Sequence, residues 1–184
     1  MMWSLPISVE IDGAEYAIRN KCDYRVVLDV IEALNDEEIE MGYRVECALF
    51  IFYEDLTGLK DVRMAITEMM KIINLGEETT EEEQHKPQLM DWKHDFHQLT
   101  PPISRVLGYS VRDKKHYTHW YDFIGAYMEI GECTFNNIVS IRSKRLKGKK
   151  LESWEQEFYK ENKKLVDFPQ KLTDEEKEWL DSDW

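Results

Sequence analysis

Histidines and neighbouring acids are the residues of this chain best suited to chemistry. His94 and His97 stand three residues apart, and so do His116 and His119. That spacing sets both members of a pair on one face of a helix. With Asp91 and Asp95 close by, the first pair has the donor types of a metal site. His94-Asp95 is also the dipeptide of metal-dependent phosphohydrolases, but a coordinating set needs further ligands from other helices, and nothing in the sequence selects them. There is no H-E-x-x-H. The histidines are read as surface side chains in polar stretches, with no metal and no cofactor assigned. Cys133, in Gly131-Glu132-Cys133-Thr134, has no visible histidine partner and is read as a small packing residue at a helix start. No G-x-S-x-G and no glycine-rich phosphate loop is present. The reading is a protein without catalytic residues.

Side chains suited to binding are more plentiful. Arg142, Lys144, Arg145, Lys147, Lys149 and Lys150 crowd into one short run without an acid among them. Part of this is favourable charge at a helix C-terminus. The rest predicts a docking patch for an acidic surface, including another copy of this chain. Met64, Met69 and Met70 share one predicted helix. Trp120, Tyr127 and Met128 lie in an apolar stretch rich in rings. Methionine and aromatic side chains suit adaptable partner binding, although stripes at helical spacing are more often core. Trp179 and Trp184 sit on a charged tail with little sequence nearby to cover them, which marks them for contacts between chains.

These residues need a framework, and its elements are predicted from periodicity. Leu5, Ile7, Val9 and Ile11 alternate with polar residues, and Ala14, Tyr16 and Ile18 continue beyond Asp12-Gly13. This is a hairpin pattern with a turn that accepts positive φ. The remainder reads as helical. Asp23 caps a helix through Val27, Val30, Ile31 and Leu34. Asp36 opens a second through Val45, Leu49, Phe52 and Leu56. A third carries Val62, Ala65, Ile66, Met69 and Ile73 and ends at Gly76. Asp91 caps a helix that Pro101-Pro102 breaks or kinks before Gly108 stops it. Helices follow from Trp120 to near Gly131 and from Thr134 to Gly148. Ser153 to Gln156 reads as a capping box, and so does Thr173 to Glu176.

The predicted fold is therefore mainly α, a helical bundle with a short N-terminal β-hairpin. Residues 1–76 form the hairpin and first helices, 77–88 an acidic exposed loop, 89–168 a C-terminal helical region and 169–184 a charged helical tail. The whole is read as one compact unit with a loosely attached tail.

With 184 residues, 42% apolar and 12% aromatic, the chain is long enough to bury a core. Its net charge of −13 repels phosphate backbones and argues against a nucleic-acid partner. Cys22, Cys47 and Cys133 are scattered and odd in number, which fits a reducing compartment. The start has no basic region followed by a long apolar run, so no signal peptide is expected. The longest apolar stretch, around Cys47 to Tyr53, falls well short of the roughly 20 residues that span a bilayer. No membrane association is expected.

Several runs occur together in a distinctive order. They are Met2-Trp3-Ser4-Leu5-Pro6, Asp23-Tyr24-Arg25, Glu32-Ala33-Leu34-Asn35-Asp36, Leu89-Met90-Asp91-Trp92, Arg105-Val106-Leu107-Gly108-Tyr109 and His119-Trp120. The most specific is Gly125 to Phe135, GAYMEIGECTF, which leads into Ser140-Ile141-Arg142 and Lys147-Gly148-Lys149-Lys150-Leu151. From Trp3 to about Asn162 the chain resembles the "gene product fifteen" family of tailed phages and prophages of Gram-positive bacteria. The resemblance implies a tail assembly chaperone, encoded before the tape-measure protein of long, non-contractile tails and working in the host bacterial cytoplasm. Its implied partners are the tape-measure protein, the tail-tube protein and further copies of itself. It implies no catalytic residues. The alternatives are a structural connector or completion protein retained in the virion and, less favoured, a metal-dependent hydrolase using the paired histidines.

Overall fold

The computed structural model describes residues 4–77 and 88–168. The glutamates of the predicted acidic loop beyond Glu77, the capping box at Thr173–Glu176, and Trp179 and Trp184 lie outside the described residues.

The described chain is mainly helical, with one small antiparallel sheet. Strands β1 (Ser8–Ile11) and β2 (Ala14–Ala17) pair with Ile11 opposite Ala14, leaving Asp12-Gly13 as a two-residue turn. Both turn residues have positive φ, 51° and 77°, the conformation that joins right-twisted strands without splaying them. Val9, Ile11, Tyr16 and Ile18 turn inward and are buried.

Eight α-helices follow among the described residues: α1 (Tyr24–Asn35), α2 (Met41–Phe52), α3 (Val62–Ile73), α4 (Trp92–Leu107), α5 (Trp120–Met128), α6 (Thr134–Leu146), α7 (Ser153–Glu161) and α8 (Lys163–Val166). Asp23 caps α1 by accepting from the Arg25 N–H, and Asp61 caps α3 by accepting from Met64. Helix α3 ends in a Schellman turn, with the Gly76 N–H on the Lys71 carbonyl and Leu75 N–H on Ile72. Helix α6 ends the same way around Gly148, whose φ is 63°.

Three sequence expectations about helix ends are corrected. Asp36 does not open α2. Its carboxylate accepts from the Glu38 N–H in a local turn, and the helix starts only at Met41. Leu56 lies beyond the end of α2. The capping box of α7 is shifted by one residue: Glu152 and Glu155 cap each other, because the Glu155 side chain accepts from the Glu152 N–H and is also held by Lys144.

Pro101 and Pro102 do not break α4, which is continuous through them. A proline inside a helix costs about 3 kcal/mol or more. Leu99 and Ile103 on either side are fully buried, and burial of such side chains returns about 1.5–3 kcal/mol each.

The chain divides into two compact units. The first comprises the residues up to Gln88 together with Gln98–Gly131. Within it α1 packs along α2 and against α5, and α2 against α3. Tyr24 and Phe123 stack at 4.2 Å and 6°, and the Tyr53 hydroxyl donates to the Ala65 carbonyl at 2.8 Å. The second unit comprises Leu89–His97 and the residues from Glu132 onward. Its buried centre is Ile138, Ile141 and Val166, flanked by Leu151, Phe158, Tyr159 and Leu165.

A left-handed turn joins the hairpin to α1. Asn20, Lys21 and Cys22 all have positive φ, 50°, 55° and 61°. Three successive bonds close it, from Lys21 to Ile18, Cys22 to Arg19 and Asp23 to Asn20. Left-handed geometry costs an L-residue about 1–2 kcal/mol. Neighbouring segments hold it in place: Trp120 N–H donates to the Cys22 carbonyl, and the Tyr117 hydroxyl donates to the Lys21 carbonyl. The Arg19 side chain then reaches across to the end of α2 and donates to the carbonyls of Phe50, Ile51 and Tyr53, groups that a helix end leaves unpaired.

Candidate partner-binding surfaces

The histidines are dispersed among separate structural tasks. His119 is fully buried and caps α5: its Nδ1 accepts from the Tyr121 N–H at 3.0 Å, and its Nε2 lies 2.9 Å from the Pro6 carbonyl. Those partners assign the proton to Nε2. His116 stacks on Tyr109 at 4.6 Å. His94 lies edge-on to Phe168, with Nε2 4.0 Å from the Asp95 carboxylate. Among the described residues, no group of three or more His, Cys, Asp or Glu side chains is arranged to hold a metal ion. Cys133 stands immediately before α6, its thiol 3.6 Å from the Asn136 side chain.

The six-residue basic run separates into two sets. Arg142 belongs to the interior of the second unit, a correction to its expected place in an exposed docking patch. Its guanidinium donates to both Asp95 oxygens at 2.6 and 2.8 Å and to the carbonyls of Leu89, Leu165 and Val166. All five of its donors are used, and its guanidinium carbon lies 4.1 Å from the centre of the Phe168 ring. Lys144 is bound to Glu155 at 2.7 Å and Glu152 at 3.3 Å. Arg145 pairs with Asp167 and lies over the Tyr159 ring. Sequence proximity made these three look like one surface, yet their partners are all within the unit. Lys147, Lys149 and Lys150 are exposed in the connection from α6 to α7, with no carboxylate partner among the described residues. Leu146 and Trp154, at the two ends of that connection, are exposed as well.

The apolar candidates divide in the same way. Met69 and Trp120 are buried in the first unit, and the Trp120 indole N–H donates to the Ile73 carbonyl at 2.9 Å. Both are corrected to core residues. Met70 and Tyr127 are half-buried. Met64 is 41% exposed and Met128 67% exposed.

Helix α2 supplies side chains that the sequence reading passed over. Val45, Ala48, Leu49 and Phe52 turn inward, yet Tyr43, Cys47 and Phe50 on the other side are exposed, the two rings by 60% and 59%. Their spacing of four and three residues makes one stripe. Met41 at the helix start is also exposed. The available signal was a helix apolar on both sides, a pattern that requires either full burial or a second apolar partner.

No helix among the described residues is long and apolar enough to cross a membrane. Comparison with curated proteins and with solved structures gives no match. The family model described as Bacteriophage Gp15 protein matches residues 1–168. That match takes in every described element of both units, and the chain belongs to the bacteriophage Gp15 family.

Proposed function

We propose that the protein is a non-catalytic tail assembly chaperone that binds the phage tape-measure protein in the host bacterial cytoplasm and keeps it soluble until tail-tube subunits replace it. One observation carries this reading within a phage family: Met41, Met64 and Met128 leave their side chains exposed on the first unit. Exposed large apolar groups suit a partner surface. Methionine is unbranched and polarisable, so it adjusts to apolar partners of varied shape. A long helical tape measure presents many such stripes in succession, each with different side chains. A few soft anchors per copy give weak, reversible contacts, and many copies on one strand add avidity. The acidic net charge favours solubility of the coated complex.

The test is co-expression with the tape-measure protein of the same phage. The chain should raise the soluble fraction of that protein and co-purify with it in several copies. Met64→Glu with Met128→Glu should abolish both effects while leaving the helical circular dichroism unchanged. If the tape measure stays insoluble and no complex forms, the proposal fails. Recovery of the chain from purified virions at fixed stoichiometry would favour a structural tail component instead.

A further inference from the structure

Two surfaces of this chain are complementary to each other. On the first unit, Tyr43, Cys47 and Phe50 form the exposed stripe of α2. Glu40 precedes the helix, Glu46 lies on its exposed side and Glu54 follows its end. All three are exposed, and none takes part in the ion pairs found among the described residues. On the second unit, Leu146 and Trp154 bracket Lys147, Lys149 and Lys150, which lack carboxylate partners among the described residues. One surface is aromatic with three acids, and the other is apolar with three lysines and Glu152, whose exposed carboxylate is held by Lys144 and the Trp154 indole N–H.

We propose that the connection from α6 to α7 of one copy docks on the exposed face of α2 of a second copy. Apolar contact between Leu146, Trp154 and the Tyr43–Phe50 stripe supplies the attraction, and the lysines set register against Glu40, Glu46 and Glu54. A chain of net charge −13 repels its own copies in most orientations. Lysines of one copy meeting the acids spaced along α2 of the other offset this in one orientation, so the same charge that disfavours random contact selects the productive one. The contact is head-to-tail, because the two surfaces differ, and it yields either a closed pair or a longer row of copies. It does not depend on the tape-measure reading and requires no partner but this chain.

The experiment is sedimentation velocity on the full chain over a range of concentrations at low salt. The wild type should self-associate, and raising the salt should weaken the association. Glu46→Lys with Glu54→Lys should weaken it at least tenfold, and Lys149→Glu with Lys150→Glu should do the same. All four positions are exposed, and circular dichroism checks that each variant is folded. Each doubly substituted chain has lost complementarity with itself but gained it with the other, so an equimolar mixture should associate where neither does alone. A wild type that stays monomeric overturns the proposal. So does association that survives both reversals, or a mixture that remains monomeric.

Discussion

Arg142 and Asp95 form a two-pronged ion pair in the interior of the second unit, the side chains 5% and 1% exposed, joined at 2.6 and 2.8 Å. Around it the same guanidinium gathers the carbonyls of Leu89, Leu165 and Val166. Removing one partner of such a pair strands a buried charge.

Arg142→Ala should therefore lower stability by about 3–5 kcal/mol, read by urea denaturation followed by circular dichroism. Arg142→Lys should recover little, because an ammonium cannot reproduce the planar fork. Replacing both members, Arg142→Met with Asp95→Leu, should recover only part of the loss, since no charge is then left unpaired but the carbonyls of Leu89, Leu165 and Val166 lose their donor. A cost below about 1 kcal/mol for Arg142→Ala would contradict the pairing.

The left-handed turn gives a prediction of opposite sign. Lys21 is exposed and has a φ of 55°. Lys21→Gly should remove about 1–2 kcal/mol of strain and give back about 0.5–1 kcal/mol through the freer unfolded chain. The expected result is a small gain in thermal stability. Lys21→Val should lose stability, because a β-branched residue tolerates this region poorly. Equal melting temperatures for the two variants would be inconsistent with the turn.

Burial pushes the Cys22 thiol up to about 12 from an ordinary 9.0, against a smaller opposite effect of the Trp120 backbone N–H. At pH 8 a thiol reagent should react quickly with exposed Cys47, more slowly with half-buried Cys133 and with Cys22 only after unfolding. The linkage follows in sign. Below pH 9.0 the thiol is protonated in both states. Between 9.0 and about 12 the unfolded chain has lost the proton while the native one keeps it, so stability falls as pH rises. Cys22→Ala should make the alkaline fall shallower in a pH-dependent denaturation series.

Acid should act on the second unit through Glu155 and Asp167. Burial alone would raise Glu155, but Lys144 and the Glu152 N–H hold it below the usual carboxylate range. At Asp167 burial is likewise overcome, by Arg145 and the Tyr159 hydroxyl. Both depressed groups contribute stability that is present above the ordinary carboxylate range and lost as pH falls through their native values. The urea midpoint should begin to drop as pH falls through the ordinary values of 4.5 and 3.8 and keep dropping below them, and less so in Glu155→Gln with Asp167→Asn. An unchanged acid profile in that variant would place the lability elsewhere.

Features closed by neighbouring residues were legible in the sequence. The Asp12-Gly13 hairpin, the Asp23 cap and the Gly148 stop each need only a few adjacent side chains and the backbone. Features decided by distant residues were not. Arg142 reads as surface because lysines follow it, and its burial depends on Asp95, 47 positions away. Pro101-Pro102 reads as a break or a kink because the burial of Leu99 and Ile103 is invisible locally. Ser153 reads as a cap because Lys144, which draws Glu155 into the cap at Glu152, lies in the preceding helix. The apolar character of α2 was legible, but which of its sides remains open was not, since the sequence does not show where α1 lies against it.

Arg142 also sets an order of events during synthesis. The first unit has all of its residues once Gly131 is made, whereas the second draws on Leu89–His97 and on the residues from Glu132 onward. Asp95 leaves the ribosome early, but its guanidinium partner and the carbonyls at Leu165 and Val166 come much later. At about 5–20 residues per second that wait is on the order of ten seconds. A nascent chain halted before Val166 would carry a finished first unit and a second whose organising arginine has donors still solvated by water.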